Sequence, residues 1–480
     1  MNPLTRELLD GPGPLLLVPD AVLLPEGPAD GFAVVVADGA FLAVGPAEEL
    51  RRAHPHLDGV ELPGHLLMPG FVDAHHHLTQ SFGSALAFGE PSEIFRRVWV
   101  PLEGALDEES AYVAAKLAAL EALRGGFTTV ADAGTRADVD VEVVASAARD
   151  AGVRCVLGLV CNDADGDEDG PAVLARAEKH LARYEDDPLV HASLAVSIPE
   201  AATEETLRRT ARLAAEAGAV VQIHLNEHLA GVERSLVRHG LRPLEHLHAI
   251  GALGPQLLAA HATLLTPREL TLLADTGTAV SYNPVASAWK GNAVAPATAM
   301  AERGVRFGLG TDGTRGDGFR LADAAEFAQR IAYGLATGDS SCGAGWTWLE
   351  HATRGGADAV GLGARTGVVA EGLAADFLLV DLTTPELALS WDVPWELVRR
   401  GNRDQITAVF TAGRLRLWQG RPTAWDGAAL VRRAAELAAA AVGRATIVRA
   451  HPTSTAARAG RTPVPGGAAG AGGCGRSTAP

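Results

Sequence analysis

Eight short apolar runs punctuate the middle of this 480-residue chain, and the stretches between them are rich in Ala, Leu, Glu and Arg. The runs are Gly70-Phe-Val-Asp-Ala-His, Thr128-Thr-Val-Ala-Asp, Arg154-Cys-Val-Leu-Gly-Leu-Val, His191-Ala-Ser-Leu-Ala-Val, Val220-Val-Gln-Ile-His, Leu257-Leu-Ala-Ala-His, Thr278-Ala-Val-Ser-Tyr and Arg306-Phe-Gly-Leu-Gly-Thr-Asp. Each has strand length, and intervening segments such as Glu108 to Arg124 and Glu204 to Ala217 have helical character. Strands alternating with helices make βα units and a parallel sheet. Eight units predict an α/β fold of the (β/α)8 TIM-like barrel type, with its chemistry at the C-terminal strand ends.

The flanks read differently. Residues 1–66 hold short strands broken by Gly and Pro, among them Leu15-Leu-Leu-Val and Phe32-Ala-Val-Val-Val. Strand-like runs return over 366–425, as in Asp376-Phe-Leu-Leu-Val-Asp and Ile406-Thr-Ala-Val-Phe. The expectation is a small β-sandwich domain built from both chain ends, around a barrel over 67–365. An Ala-rich helix is expected over 426–449. Residues 450–480 carry almost no large apolar group. Such a segment cannot offset its ordering entropy by burial and is expected to be disordered.

The predicted strand ends carry the chemistry. On a strand, alternate side chains share a face, so His75 and His77 point one way and His76 the other. The fifth strand ends at His224, with Glu227 three residues on; the sixth ends at His261; the eighth runs into Asp312. A barrel gathers these ends into one ring. Imidazoles and a carboxylate suit one divalent metal, zinc in the first instance with iron as the alternative. Such a metal lowers the pKa of its water from about 15.7 towards roughly 7.

One competing motif is His224-Leu-Asn-Glu-His228, which matches the H-x-x-E-H pattern of a peptidase family. That chemistry needs a helix, and Ala219-Val-Val-Gln-Ile before it reads as strand. The cytidine-type zinc deaminases are excluded by the lack of a P-C-x-x-C motif.

Taken together, Pro69-Gly-Phe-Val-Asp-Ala-His-His-His, Gly126-Phe-Thr-Thr-Val-Ala-Asp, His224-Leu-Asn-Glu, His261, Asn283-Pro, Gly310-Thr-Asp-Gly and Ala352-Thr-Arg-Gly-Gly-Ala resemble the amidohydrolase superfamily. The resemblance is to its branch of cytosine, guanine and S-adenosylhomocysteine deaminases and triazine hydrolases. It implies that His75, His77, His224 and Asp312 bind one metal, and that His261 hydrogen-bonds the metal-bound hydroxide or the substrate. It implies that Glu227 protonates a ring nitrogen and then the leaving amine, while Asp312 accepts a proton from the attacking water. The fourth strand lacks the lysine that binuclear members carry, which points to a single metal.

Gln80, in His77-Leu-Thr-Gln, resembles a purine-edge contact of guanine deaminases. Trp289 is a candidate for stacking on a flat ring. Where many relatives show Ser-Asn after the Asn-Pro, this chain has Ser287-Ala-Trp-Lys-Gly. Ser81 to Trp99, with Phe82, Phe88, Phe95 and Trp99, is the candidate lid.

The function expected is hydrolytic deamination of an aminated purine, pterin, pyrimidine or triazine. The alternatives are displacement of chloride or an alkylamine from such a ring, and a non-catalytic relative serving binding or assembly. The formal charge of −17 argues against nucleic acid or an anionic membrane as partner. Four cysteines without a CxxC pair, no signal-like N-terminus and no long apolar run lead to the expectation of a cytoplasmic enzyme. The resemblance adds a homo-oligomer.

Overall fold

The eight apolar runs form eight parallel strands, in chain order β6 Phe71–His76, β7 Phe127–Asp132, β8 Arg154–Val160, β9 Val190–Val196, β10 Val221–Leu225, β11 Leu257–His261, β12 Ala279–Tyr282 and β13 Phe307–Leu309. Each pairs with the next in sequence, as in the register Leu225↔His261. The structure is a computed structural model that describes residues 4–11, 13–90, 94–164 and 169–451. The seam between β13 and β6 is bridged just past the strand end, where Asp312 N–H donates to the His75 carbonyl at 2.8 Å. The barrel interior is packed with Val72, Ala74, Ala131, Val156, Leu258 and Ala279.

The connecting helices begin where the sequence supplies caps. Asp107 and Ser110 cap Glu108–Arg124 reciprocally. Thr266 and Glu269 do the same for Pro267–Thr276, which has Pro at its first position and stops at Gly277 with φ of 69°. Only a residue tolerant of the left-handed region ends a helix this way.

Nine strands from the two chain ends form a second sheet. They are β1 Leu15–Leu24, β2 Gly27–Asp30, β3 Phe32–Ala37, β4 Ala40–Pro46, β5 Gly59–Pro69, β14 Phe377–Asp381, β15 Ile406–Thr411, β16 Arg414–Trp418 and β17 Arg421–Pro422. The two ends meet where β5 pairs antiparallel with β14. Leu17, Val34, Phe41, Leu67, Phe377 and Phe410 fill its core. A buried ion pair ties it to the base of the barrel: Arg154 Nε and Nη2, at the start of β8, donate to both oxygens of Asp376 at 2.8 and 3.1 Å.

The C-terminal helix spans Gly427–Arg444, shorter than the 426–449 expected. The stretch expected to be disordered begins at Ala450; Ala450 and His451 donate backbone hydrogen bonds to Glu90. The remainder, 452–480, lies outside the described residues.

Candidate active site

Among the described residues, no side chains other than His75, His77, His224, His261, Glu227 and Asp312 crowd so many ligand-type atoms at one end of the barrel. One nitrogen or oxygen from each of His75, His224, His261 and Asp312 lies within 4.8 Å of the others. His77 joins them, its Nε2 at 3.3 Å from His224 Nε2 and 3.3 Å from Asp312 Oδ1. His75 Nε2 is 3.4 Å from the same Asp312 oxygen. Four ligand atoms placed tetrahedrally at 2.0–2.1 Å from a zinc-sized ion stand roughly 3.3–3.4 Å apart. The three separations match that edge.

The hydrogen bonding fits a metal as well. Two imidazole nitrogens facing each other at 3.3 Å cannot both carry a proton. His224 Nδ1–H donates to the Ser197 carbonyl at 2.7 Å, leaving the lone pair on Nε2. Both ring nitrogens of His75 are buried with no hydrogen-bond partner among the described residues. Burial holds His77 and His224 well below the usual imidazole pKa, so both are neutral. Neutral, lone-pair-bearing nitrogens are what a divalent cation requires, and the four atoms of His75, His77, His224 and Asp312 could hold one.

His261 is arranged differently. Asn283 Nδ2, an obligate donor, faces His261 Nδ1 at 3.3 Å, and Ser281 Oγ–H donates to Asn283 Oδ1 at 2.7 Å. His261 Nδ1 therefore accepts, and the ring proton sits on Nε2. That nitrogen lies 3.6 Å from Glu227 Oε1 and 3.8 Å from Asp312 Oδ2, beyond hydrogen-bond distance of either, so its N–H is open to a ligand between them. Burial brings the His261 pKa down to about 3, so the ring is neutral.

Backbone geometry is specialised at the same strand ends. Asn226, His261, Ala262 and Asp312 are non-glycine residues with φ of 50°, 74°, 47° and 53°. Left-handed backbone in such residues is costly and clusters at functional sites. Of the four, His261 and Asp312 carry side chains in the ligand cluster, whereas Asn226 Nδ2 donates to Glu269 Oε1 at 2.7 Å.

Sequence reasoning missed Lys290. Its Nζ bridges the two carboxylates, 2.8 Å from Glu227 Oε1 and 2.7 Å from Asp312 Oδ2. Burial opposes its charge, but Asp312 and Glu227 raise its pKa. Glu227 is further held by Asn292 Nδ2 at 3.3 Å and His228 Nε2 at 3.1 Å. Burial opposes the charge on Glu227 too; His261, Lys290 and His228 outweigh it and keep this carboxyl well below the usual range.

A cavity of about 1090 Å³ opens from this point, and His77, Gln80, His224, Glu227, Lys290 and Asp312 form its floor. Gln80 is thus at the site, and buried. Trp289 does not line this cavity: it is 43% exposed, packs edge-on against Phe88 at 4.4 Å, and borders a small annex shared with Gln80 and Asp312. The predicted lid segment forms one wall through Ile94, Phe95 and Trp99. Arg136 stacks on Phe95, its guanidinium 4.4 Å from the ring centre, and pairs with the buried Glu103 at 2.9 Å.

Comparison with known proteins agrees with this geometry. The amidohydrolase family matches residues 66–416, and a bacterial imidazolonepropionase-like composite domain matches 33–56. A 5-methylthioadenosine/S-adenosylhomocysteine deaminase of Syntrophobacter fumaroxidans is 33% identical over 408 residues, covering 84% of this chain and 92% of the relative. A 5'-deoxyadenosine deaminase of Methanopyrus kandleri is 29% identical, covering 89% and 97%. A zinc-bound adenosine deaminase structure from Xanthomonas campestris superposes with a TM-score of 0.82 at 28% identity, covering 89% and 98%. The chain belongs to the amidohydrolase family, in its branch of deaminases.

Proposed function

We propose that this chain is a metal-dependent hydrolytic deaminase acting on the adenine ring of a 5'-substituted adenosine. The observation that carries the reading is the four-atom set of His75, His77, His224 and Asp312 at metal-ligand spacing, beside Glu227 and His261. The relatives suggest the ring, since two of them are named as a 5-methylthioadenosine/S-adenosylhomocysteine deaminase and a 5'-deoxyadenosine deaminase. The cavity supports a substituent: about 1090 Å³ stands at the upper end of ligand sites, about 300–1,000 Å³, and exceeds what a bare base fills. Zinc is the metal we assign, with iron as the alternative.

A divalent metal bound here supplies an acidified water, activated for attack near neutral pH. Such a metal would be held by His75, His77, His224 and Asp312 Oδ1, and Asp312 Oδ2, which faces Lys290 at 2.7 Å, would be the carboxylate oxygen placed to take a proton from the attacking water. His261 Nε2–H orients the attacking oxygen or the ring carbon's substituent. Glu227 would collect one proton of the attacking water and deliver it to the ring nitrogen beside the amino-bearing carbon, and the second water proton, taken up by Asp312, would pass by way of Glu227 to the amino group that departs as ammonia. Its ionised state suits a group that collects a proton before passing it on. Asn292, His228 and Lys290 fix its position. Gln80 contacts the purine edge; Trp289 contributes packing against Phe88 more than ring stacking.

The test is ammonia release from metal-loaded protein with adenosine, 5'-deoxyadenosine, 5'-methylthioadenosine, S-adenosylhomocysteine, guanine, cytosine and a chlorotriazine. Ammonia from an adenosine derivative supports the reading. Ammonia only from a free base, or chloride from the triazine, replaces the substrate class while keeping the catalytic set. Silence across the panel with metal bound refutes the proposal.

A further inference from the structure

Beyond the C-terminal helix Gly427–Arg444, residues 445–451 run across the segment that walls the cavity. Val448 N–H donates to the Arg97 carbonyl at 2.9 Å, and its own carbonyl accepts from Arg97 Nη1 at 3.2 Å. Arg449 Nη1 and Nη2 donate to the carbonyls of Leu86 and Phe88 at 2.5 and 3.1 Å. The N–H groups of Ala450 and His451 donate to the two oxygens of Glu90 at 2.7 and 3.2 Å.

Glu90 is the knot. Its side chain is fully enclosed and also takes Arg97 Nη1 at 2.7 Å and Arg449 Nε at 3.3 Å. Burial alone would raise its pKa; Arg97, the two backbone donors and Arg449 bring it down to about 2. A buried carboxylate is tolerated when charged and backbone donors surround it, and three of these four, Arg449, Ala450 and His451, come from residues about 360 positions away in sequence. The preceding helix is bound to the same region: Arg444 Nη2 donates to the Ala105 carbonyl at 2.8 Å, and Ala441 packs with Phe82, Leu106 and Ala137.

The other side of this joint faces the substrate cavity. Phe95, Arg97 and Trp99 line it, and so does Ala450 itself. The stretch 445–451 lies past the end of the family match at residue 416.

We propose that Val448–His451 is a wall of the substrate pocket, with Glu90 and Arg449 as positioning residues that hold residues 86–90 and 94–99 against the part of the substrate remote from the reacting ring. The strap then sets substrate affinity and leaves the chemical step alone. This use of the pocket rests on the deaminase reading; the docking of the strap does not.

The experiment uses full-length, metal-loaded Arg449→Ala, Arg449→Lys and Glu90→Gln. Amide hydrogen exchange is followed without substrate, and kcat and KM are measured on the best compound of the adenosine panel. In Arg449→Ala and Glu90→Gln, amides of the 82–99 peptides are expected to exchange about tenfold faster or more while the barrel strands keep their rates. KM is expected to rise by about the same factor with kcat within about twofold. Arg449→Lys restores protection only in part, because an ammonium cannot span two carbonyls as a guanidinium does. Wild-type exchange of 82–99 in both Arg449→Ala and Glu90→Gln overturns the strap. Faster exchange with unchanged KM overturns its role as pocket wall. If no panel compound is turned over, the deaminase reading fails, and exchange alone decides whether the strap holds the segment.

Discussion

Asp312 donates its backbone N–H to the carbonyl of His75 at 2.8 Å, and the side chains of the same two residues meet at 3.4 Å. The last link of the barrel and the first pair of the site are one contact. Closure therefore sets the separation of two ligand-type atoms, one on β6 and one three residues past β13. The positive φ of Asp312 is tolerated by Asn, which also keeps the side-chain shape. Asp312→Asn should leave the fold intact and weaken metal retention by more than about 100-fold, since even indirect disturbance of a ligand costs 10–100-fold. His224→Ala should do likewise. Metal content after dialysis against a chelator, with the melting temperature as fold control, checks both; full occupancy in either variant would refute the ligand assignment.

Glu227 presents its Oε1 to Lys290 at 2.8 Å and to His261 at 3.6 Å, beside the ligand cluster. Glu227→Gln keeps the shape and most hydrogen bonds but cannot carry a proton. The expected result is normal metal content and kcat lower by about 10²–10⁴-fold. Single-turnover ammonia release, read alongside metal analysis, separates the two quantities. Near-normal turnover would remove Glu227 from the proton path.

How far the sequence could be read follows from what kind of atom each feature uses. All eight barrel strands were legible because each is an apolar run whose length and spacing are written in side chains. His75, His77, His224, His261 and Asp312 were legible because each sits at or just past the end of such a run. Ser197 was not, since it serves His224 through its backbone carbonyl, which any residue would supply. Ala450 and His451 were missed for the same reason: they bind Glu90 through N–H groups, inside a stretch whose composition reads as disorder. Lys290 did leave a trace. Lysine occurs at only three positions in the chain, 116, 179 and 290, against 41 basic residues in all. In a chain that otherwise uses Arg for positive charge, a lysine seven residues after the Asn283-Pro strand end was a signal of a compact point charge.

Lys290 is the only cation that bonds to both Glu227 and Asp312 among the described residues. Lys290→Met would leave two buried carboxylates without it, a situation that costs several kcal/mol in buried ion pairs, about 3–5 when one partner is removed. Metal content should persist, because Asp312 Oδ1 still faces His75 and His77. The value of kcat/KM should fall by about 10²-fold. Lys290→Arg should not restore it, since a planar guanidinium does not replace the compact ammonium that meets both oxygens with one nitrogen. Steady-state kinetics with metal analysis test this, and wild-type kcat/KM in Lys290→Met would show that the bridge has no part in the reaction.

At the opposite end of the barrel, His191 lies against the ion pair that joins barrel and sheet, its Nε2 at 3.2 Å from Arg154 Nη1. Burial, then the charges of Arg154 and Arg365, lower its pKa to about 4 from the ordinary 6.5. The folded state thus binds a proton less readily than the unfolded chain. Stability from this group is fully present above pH 6.5 and is lost as the pH falls towards about 4, by up to about 3 kcal/mol for a shift of this size. His191→Gln keeps an acceptor for Arg154 and cannot become charged. Its melting temperature should therefore fall less than that of the wild type between pH 6.5 and 4, the two curves running parallel above pH 7. Parallel curves across the whole range would mean that protonation of His191 does not oppose the junction. The ion pair of Arg154 with Asp376 would then carry it unaided.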